Sequence, residues 1–175
     1  MTYYKFIDKN NRGYSGFDYT DYLPRDGRPG KPLPTVGGEI EPCANGYHAC
    51  KPQHVSPWID AQLYEVELSG RVVDGDDKTV ASRIRLVRKV DAWSEKTQRL
   101  FAVWCAREAL KLDNNPDPRS IAACDVAERY ANGQAMDNDL DVARAAAGDA
   151  AWAAAWAAAW AAARAAARAA AWAAA

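Results

Sequence analysis

From Ala150 to the final Ala175 the chain reads "AAWAAAWAAAWAAARAAARAAAWAAA". Alanine is the strongest helix former, so this stretch is predicted to be helical almost regardless of its surroundings. Upstream, a helix opens near Asp137 and meets only one weak point, Gly148, and a lone glycine costs about 1 kcal/mol. One helix over 137–175 would run roughly 55–60 Å at 1.5 Å per residue. A head of about a hundred residues has a radius near 13 Å. The tail must therefore fold back along a preceding helix or meet another chain.

The repeat marks every fourth residue, whereas a helix turns once in 3.6. Each step overshoots a full turn by about 40°, so Trp152, Trp156 and Trp160 share an arc of about 80°. Arg164 and Arg168 carry the stripe onward, and Trp172 falls roughly 200° from Trp152. No flat partner touches all six. Either the stripe winds around a neighbouring helix, right-handedly because its period exceeds 3.6, or the repeat is a tolerated low-complexity extension. Exposed apolar faces usually mark contact surfaces, so the six residues are taken as an interaction face. Trp160 and Arg164, four apart, are placed to form a cation–π pair. The uncharged run between Asp149 and Arg164 is only fourteen residues, short of the roughly twenty a membrane-spanning helix needs.

The residues before the tail have a different character. Most aromatic and β-branched residues lie before about residue 110, which divides the chain into an α+β head over 1–112 and a helical region over 118–175. "TYYKFID" reads as a strand and "YSGFDY" as a second short one. Residues 23–42, crowded with proline and glycine, read as a long surface loop. "LYEVEL" alternates Tyr64, Val66 and Leu68 against Glu65 and Glu67. After "SGRVVDGDD", read as a turn, "KTVASRIRLVRKV" alternates Ile84 and Leu86 against Arg83 and Arg85. The two segments predict an antiparallel hairpin in which those arginines lie across from the glutamates. The alternative is a phosphate-binding ridge. A helix capped by Asp91, carrying Trp93, Leu100, Phe101, Trp104 and Leu110, is expected to cover the small sheet with Trp104 in its core. A second helix begins near Arg119 and ends at Gly133.

One segment concentrates chemistry. "EPCANGYHACKPQH" holds Cys43, His48, Cys50 and His54, both histidines and half of the four cysteines. Two thiolates and two imidazoles form a valid tetrahedral zinc set, although the spacing is not that of the common fingers. A plainer reading is a turn feeding a short strand, with Tyr47 and His48 packed beside a backbone carbonyl. A third is a ligand pocket in which His48 donates a hydrogen bond or moves a proton near neutral pH. Tyr47, His48, Arg83 and Arg85 are the candidate ligand-binding residues, and His48 is expected to be more buried and constrained than His54. No residue is assigned a catalytic role, and no cofactor is expected beyond the zinc alternative.

Taken together, "YYKF", "CANGYHAC", "LYEVELSG" and "DGDDKTVASRIRLV" resemble an uncharacterised domain of bacteriophage and actinobacterial proteins, often followed by alanine-rich repeats. The resemblance spans roughly residues 2–110. It implies a phage or bacterial setting and no catalytic residues. A fainter similarity links the chain to ADP-ribosyltransferase-like folds. It implies that Lys5 stands where those folds carry arginine or histidine, and that Glu65 or Glu67 serves as the glutamate.

The net charge of −1 gives no global pull toward nucleic acid or membrane. Arg83, Arg85, Arg88 and Lys89 alternate with acidic neighbours, which places nucleic-acid binding last. No charged leader with an apolar run opens the sequence, so the cysteines are expected to be thiols or metal ligands in a reducing cytoplasm rather than disulfides. The expected function is non-catalytic interaction or assembly, with the tail joining copies of the chain or a protein partner. The alternative is a small nucleotide-binding protein, or an ADP-ribosyltransferase-like enzyme, with its site near His48.

Overall fold

A computed structural model describes residues 2–173, with side chains through Arg164. The fold is α+β: strands β1 (Tyr3–Ile7), β2 (Tyr47–Ala49), β3 (Gln62–Asp74) and β4 (Thr79–Lys89), then helices α1 (Glu95–Leu110), α2 (Pro118–Ala131) and α3 (Asp137–Ala173). Two compact units divide after Ser94.

In the first unit the strands form one antiparallel sheet in the order β1-β3-β4-β2. The sheet curls until its edges meet. Tyr4 and Cys50 exchange backbone hydrogen bonds of 2.8 Å in both directions, just past the end of β2. The expected hairpin is present, but β3 is longer than its alternation implies. "SGRVVD" continues the strand to Asp74, and the register shifts between Ser69 and Val72. Gly70 adopts φ +75° there, while the Arg71 N–H is taken by Ser82 Oγ at 3.0 Å. A glycine that reads as a turn is therefore a bulge.

Glu67 lies across from Arg85 as expected, whereas an irregularity after Glu65 brings Glu65 to Arg88 and leaves Arg83 opposite Ser69. "YSGFDY" is not a strand. An isolated bridge, Arg12 to Asp18, shapes that turn, together with bonds from the Gly13 N–H to the Phe17 carbonyl at 2.9 Å and from the Gly16 N–H to the Gly13 carbonyl at 2.7 Å.

The buried cluster comprises Ile7, Ala49, Tyr64, Val66, Ile84 and Leu86 from strands, with Tyr19 and Leu33 from the connecting segments. The 30–36 segment runs along β4. The N–H groups of Gly30, Leu33 and Val36 donate to the carbonyls of Leu86, Ile84 and Ser82 at 2.8–2.9 Å. Every third donor faces β4, the period of a polyproline II chain, and Pro32 and Pro34, which have no N–H, fall at positions between. The proline-rich loop thus covers an edge that β2 leaves open, and it contributes Leu33 to the core.

The helix expected from Asp91 starts at Glu95 instead. Trp93 stays with the sheet: its Nε1 donates to the Asp60 carbonyl at 2.9 Å, and its ring meets Phe6 edge-on at 5.6 Å. Trp104 is 58% exposed and stacked on Phe101, while Val103 is the buried residue of α1. The expectation of a core indole fails because the inward face runs through Leu100, Val103 and Arg107, one position away. Trp104→Ala should accordingly change stability by less than about 1 kcal/mol, as a denaturant midpoint would show.

Within the second unit, Arg107 of α1 pairs with Asp125 (2.8 Å) and Glu128 (2.6 Å) of α2. Asp117 caps α2 by accepting the Arg119 N–H at 2.8 Å. The chain then reverses through Gly133 (φ +72°), and Tyr130 donates to Asp137 at 2.5 Å. Leu140 and Ala150 of α3 and Cys124 of α2 are buried. The long helix does what its length requires: its first part folds back along α2. It is continuous across Gly148 and, at 37 residues, about 55 Å long.

Candidate functional site

At the seam where the sheet closes lies a cleft of about 840 Å³, within the ordinary range for small-molecule sites. Its floor comes from Tyr4, Lys5 and Phe6 of β1, His48 and Ala49 of β2 and Cys50 just after it; its rim comes from Tyr14, Cys43, Trp58, Asp60 and Lys78.

Lys5 lies on the core-facing side of β1 between Tyr3 and Ile7, as strand alternation dictates. Its Nζ crosses the seam and donates to the His48 carbonyl at 2.8 Å, with the Tyr19 ring 5.2 Å away. Among the described residues no carboxylate pairs with it. Burial holds its pKa down to about 8, against the opposing pull of Cys50. Burial in turn pushes the Cys50 thiol up to about 11, and that thiol donates to the Tyr4 carbonyl at 3.4 Å.

His48 is half-buried, as is His54, and is held by its own turn. Nε2 accepts the Cys43 N–H at 3.0 Å, which requires neutral imidazole protonated on Nδ1. Burial, then Lys5, then Lys78 lower its pKa, and only a hydrogen bond to the Gly46 backbone opposes them. His48 thus pins the 43–48 turn, where Cys43 sits at φ +66°. Lys78 donates to Cys43 Sγ at 3.1 Å, stands 4.5 Å from the Trp58 ring centroid, and has Asp77 at 3.4 Å. Tyr14, almost wholly exposed, meets Trp58 edge-on at 6.2 Å.

Of the four residues expected to bind a ligand, only His48 lines this cleft. Tyr47 points to the other face of β2, where its hydroxyl donates to the Pro34 carbonyl at 2.9 Å. Arg83 bonds Thr35, and Arg85 bonds the Gly30 carbonyl at 2.9 Å with Glu67 at 3.9 Å. These three residues hold the proline-rich segment in place. The set Cys43, His48, Cys50 and His54 is not gathered as a metal site: among the described residues no three His, Cys, Asp or Glu side chains cluster to hold an ion. Glu65 and Glu67 are engaged by Arg88 and Arg85 and do not line the cleft. The glutamate required by the ADP-ribosyltransferase-like reading therefore has no counterpart there.

No pattern in the sequence marks Tyr14, Trp58 or Lys78 as cleft residues, and Lys5 enters it only as the counterpart of the arginine or histidine of ADP-ribosyltransferase-like folds. The available signal was Lys5 itself, one cation inside the aromatic strand "YYKFI".

The second feature is the α3 face. Trp152, Trp156 and Trp160 are 69%, 56% and 56% exposed. The Arg164 guanidinium lies 5.7 Å from the Trp160 ring centroid, the pair expected from their spacing. The side chains of Arg168 and Trp172 lie outside the described residues. No helix among the described residues is long and apolar enough to cross a membrane.

No curated protein and no solved structure matches the chain. A family model described as Domain of unknown function (DUF7666) matches residues 1–97. That stretch is more than half of the chain, contains the whole sheet and its cleft, and shows that the chain belongs to this family.

Proposed function

We propose that this is a non-catalytic assembly protein, in which α3 joins the chain to a second copy of itself while the head stands as a separate working part. The phage or bacterial cytoplasm is the setting we attach to it, on the strength of the resemblance carried by "GYHAC" and the second hairpin strand. The observation behind the assembly role is the run of three half-exposed indoles on one face of a helix that has already left its intrachain partner.

A second copy is the occupant that suits this face. No ionisable side chain occurs from Ala150 to Ala163, so nothing in the run selects a charged partner. The alanines between the tryptophans let two backbones approach closely, and identical faces can meet across a two-fold axis. Three indoles with their intervening alanines offer on the order of 500 Å² per chain, or about 1,000 Å² for a pair, near the lower bound for a specific interface.

The test is size-exclusion chromatography with light scattering on the parent and on the combined Trp152→Ala, Trp156→Ala, Trp160→Ala variant. Alanine propagates the helix, so far-UV circular dichroism should stay unchanged while a parent dimer or higher oligomer becomes a monomer. A parent that is monomeric at tens of micromolar, or a variant that associates as the parent does, would sink the proposal.

A further inference from the structure

The head carries a feature that assembly does not use: a half-buried lysine at the floor of an aromatic cleft, with no acid beside it. From this geometry we infer that the cleft binds a nucleoside monophosphate, with its phosphate at Lys5 and its base against Trp58 and Tyr14.

Lys5 has three N–H donors, and the described contacts use one, on the His48 carbonyl. A buried ammonium without a counter-charge is costly and is relieved by an anion. Lys78 is a second cation on the same cleft but has Asp77 3.4 Å from its Nζ, while the carboxylate that lines the cleft, Asp60, accepts the Ala61 N–H at 2.7 Å. The cation without a carboxylate partner among the described residues is therefore Lys5, and it is the one an anionic phosphate would pair with. The walls favour a planar ring: Tyr4, Phe6, Tyr14 and Trp58 all line the space. Tyr14 projects into solvent at the rim beside Trp58, a position from which it can close over a base. The volume of about 840 Å³ exceeds what one ring or one phosphate fills.

A chemical signature follows. Free Lys5 titrates near 8 because of burial, and a phosphate beside it would favour the ammonium and raise that value. Binding at pH 8.5 must then take up a proton. The other groups around Lys5 do not contribute: His48 is shifted down from 6.5, Cys50 titrates at about 11, Tyr19 is pushed above 10.0 and Lys78 above 10.5.

The experiment is titration calorimetry of the full chain with AMP at pH 8.5, in two buffers of different ionisation enthalpy, with adenosine and inorganic phosphate as separate probes. AMP should bind with net proton uptake and at least tenfold more tightly than either fragment. Lys5→Met should weaken AMP binding at least tenfold while leaving the melting temperature of the unliganded protein equal or higher. A lysine of purely structural importance would lower that temperature on replacement, and that result would count against the inference. No AMP binding at millimolar concentration, or binding without proton uptake in the parent protein, would overturn it independently of how any variant folds. Adenosine binding as tightly as AMP would remove the phosphate role, and phosphate binding as tightly as AMP would remove the aromatic one.

Discussion

Gly30→Ala is expected to destabilise the head by about 3 kcal/mol or more, although residue 30 sits in a segment with no regular secondary structure. A Cβ at this position would stand 1.9 Å from the Tyr22 carbonyl oxygen and 2.8 Å from its carbon. Both atoms are backbone, so no side-chain rotation relieves the overlap. The segment would have to lift from β4, breaking the bond from the Gly30 N–H to the Leu86 carbonyl and the one from Arg85 Nε to the Gly30 carbonyl, each 2.9 Å. Hydrogen exchange of the β3 and β4 amides in a urea series would report the head alone, free of signals from the tail tryptophans. Gly37→Ala is the control. Its Cβ would meet nothing within 4 Å, so the change should stay within about 0.5 kcal/mol. Equal effects at the two positions would show that the close approach at Gly30 does not hold the segment.

The sequence is legible where one local force decides the outcome. Alanine propensity sets the later part of α3, and period-two alternation sets the pairing of β3 with β4, because each signal repeats over many residues. Legibility ends where a residue works against its local type. Gly70 resembles a turn, yet the Ser82 hydroxyl takes up the N–H of the next residue and the strand continues. Trp93 fits a helical period with Leu100 and Trp104, yet Phe6 and the Asp60 carbonyl bind it to the sheet. The alternation of β1 puts Lys5 on the core-facing side, but no local signal shows that a lysine stays buried there. Its burial depends on the seam between β1 and β2, which joins residues forty-six positions apart at Tyr4 and Cys50. The candidate site was thus half visible. The "GYHAC" segment marks one wall, but the residue types that draw attention there, histidine and cysteine, serve to shape the turn.

The second large effect is expected at Leu33. This residue belongs to "KPLPTV", whose prolines point to a solvated loop, but it is 1% exposed and packs in the cluster with Ile84 and Leu86. Truncating a buried leucine removes its transfer energy and leaves a cavity, together worth about 2–5 kcal/mol. The cost depends on how far the surroundings collapse into the space. Here collapse is hindered from both sides. Pro32 and Pro34 fix φ on either side of Leu33, and its N–H is bonded to the Ile84 carbonyl at 2.9 Å. Leu33→Ala should therefore fall in the middle or upper part of the range, about 3–4 kcal/mol, when measured by the same exchange experiment. Trp104→Ala removes a far larger side chain and should cost less than a third as much, because that indole is already mostly in water. If Leu33→Ala cost under about 1 kcal/mol, the 30–36 segment would be a loosely docked strap. The closure of the sheet edge, and the hold of Tyr47, Arg83 and Arg85 on that segment, would then have to be explained without it.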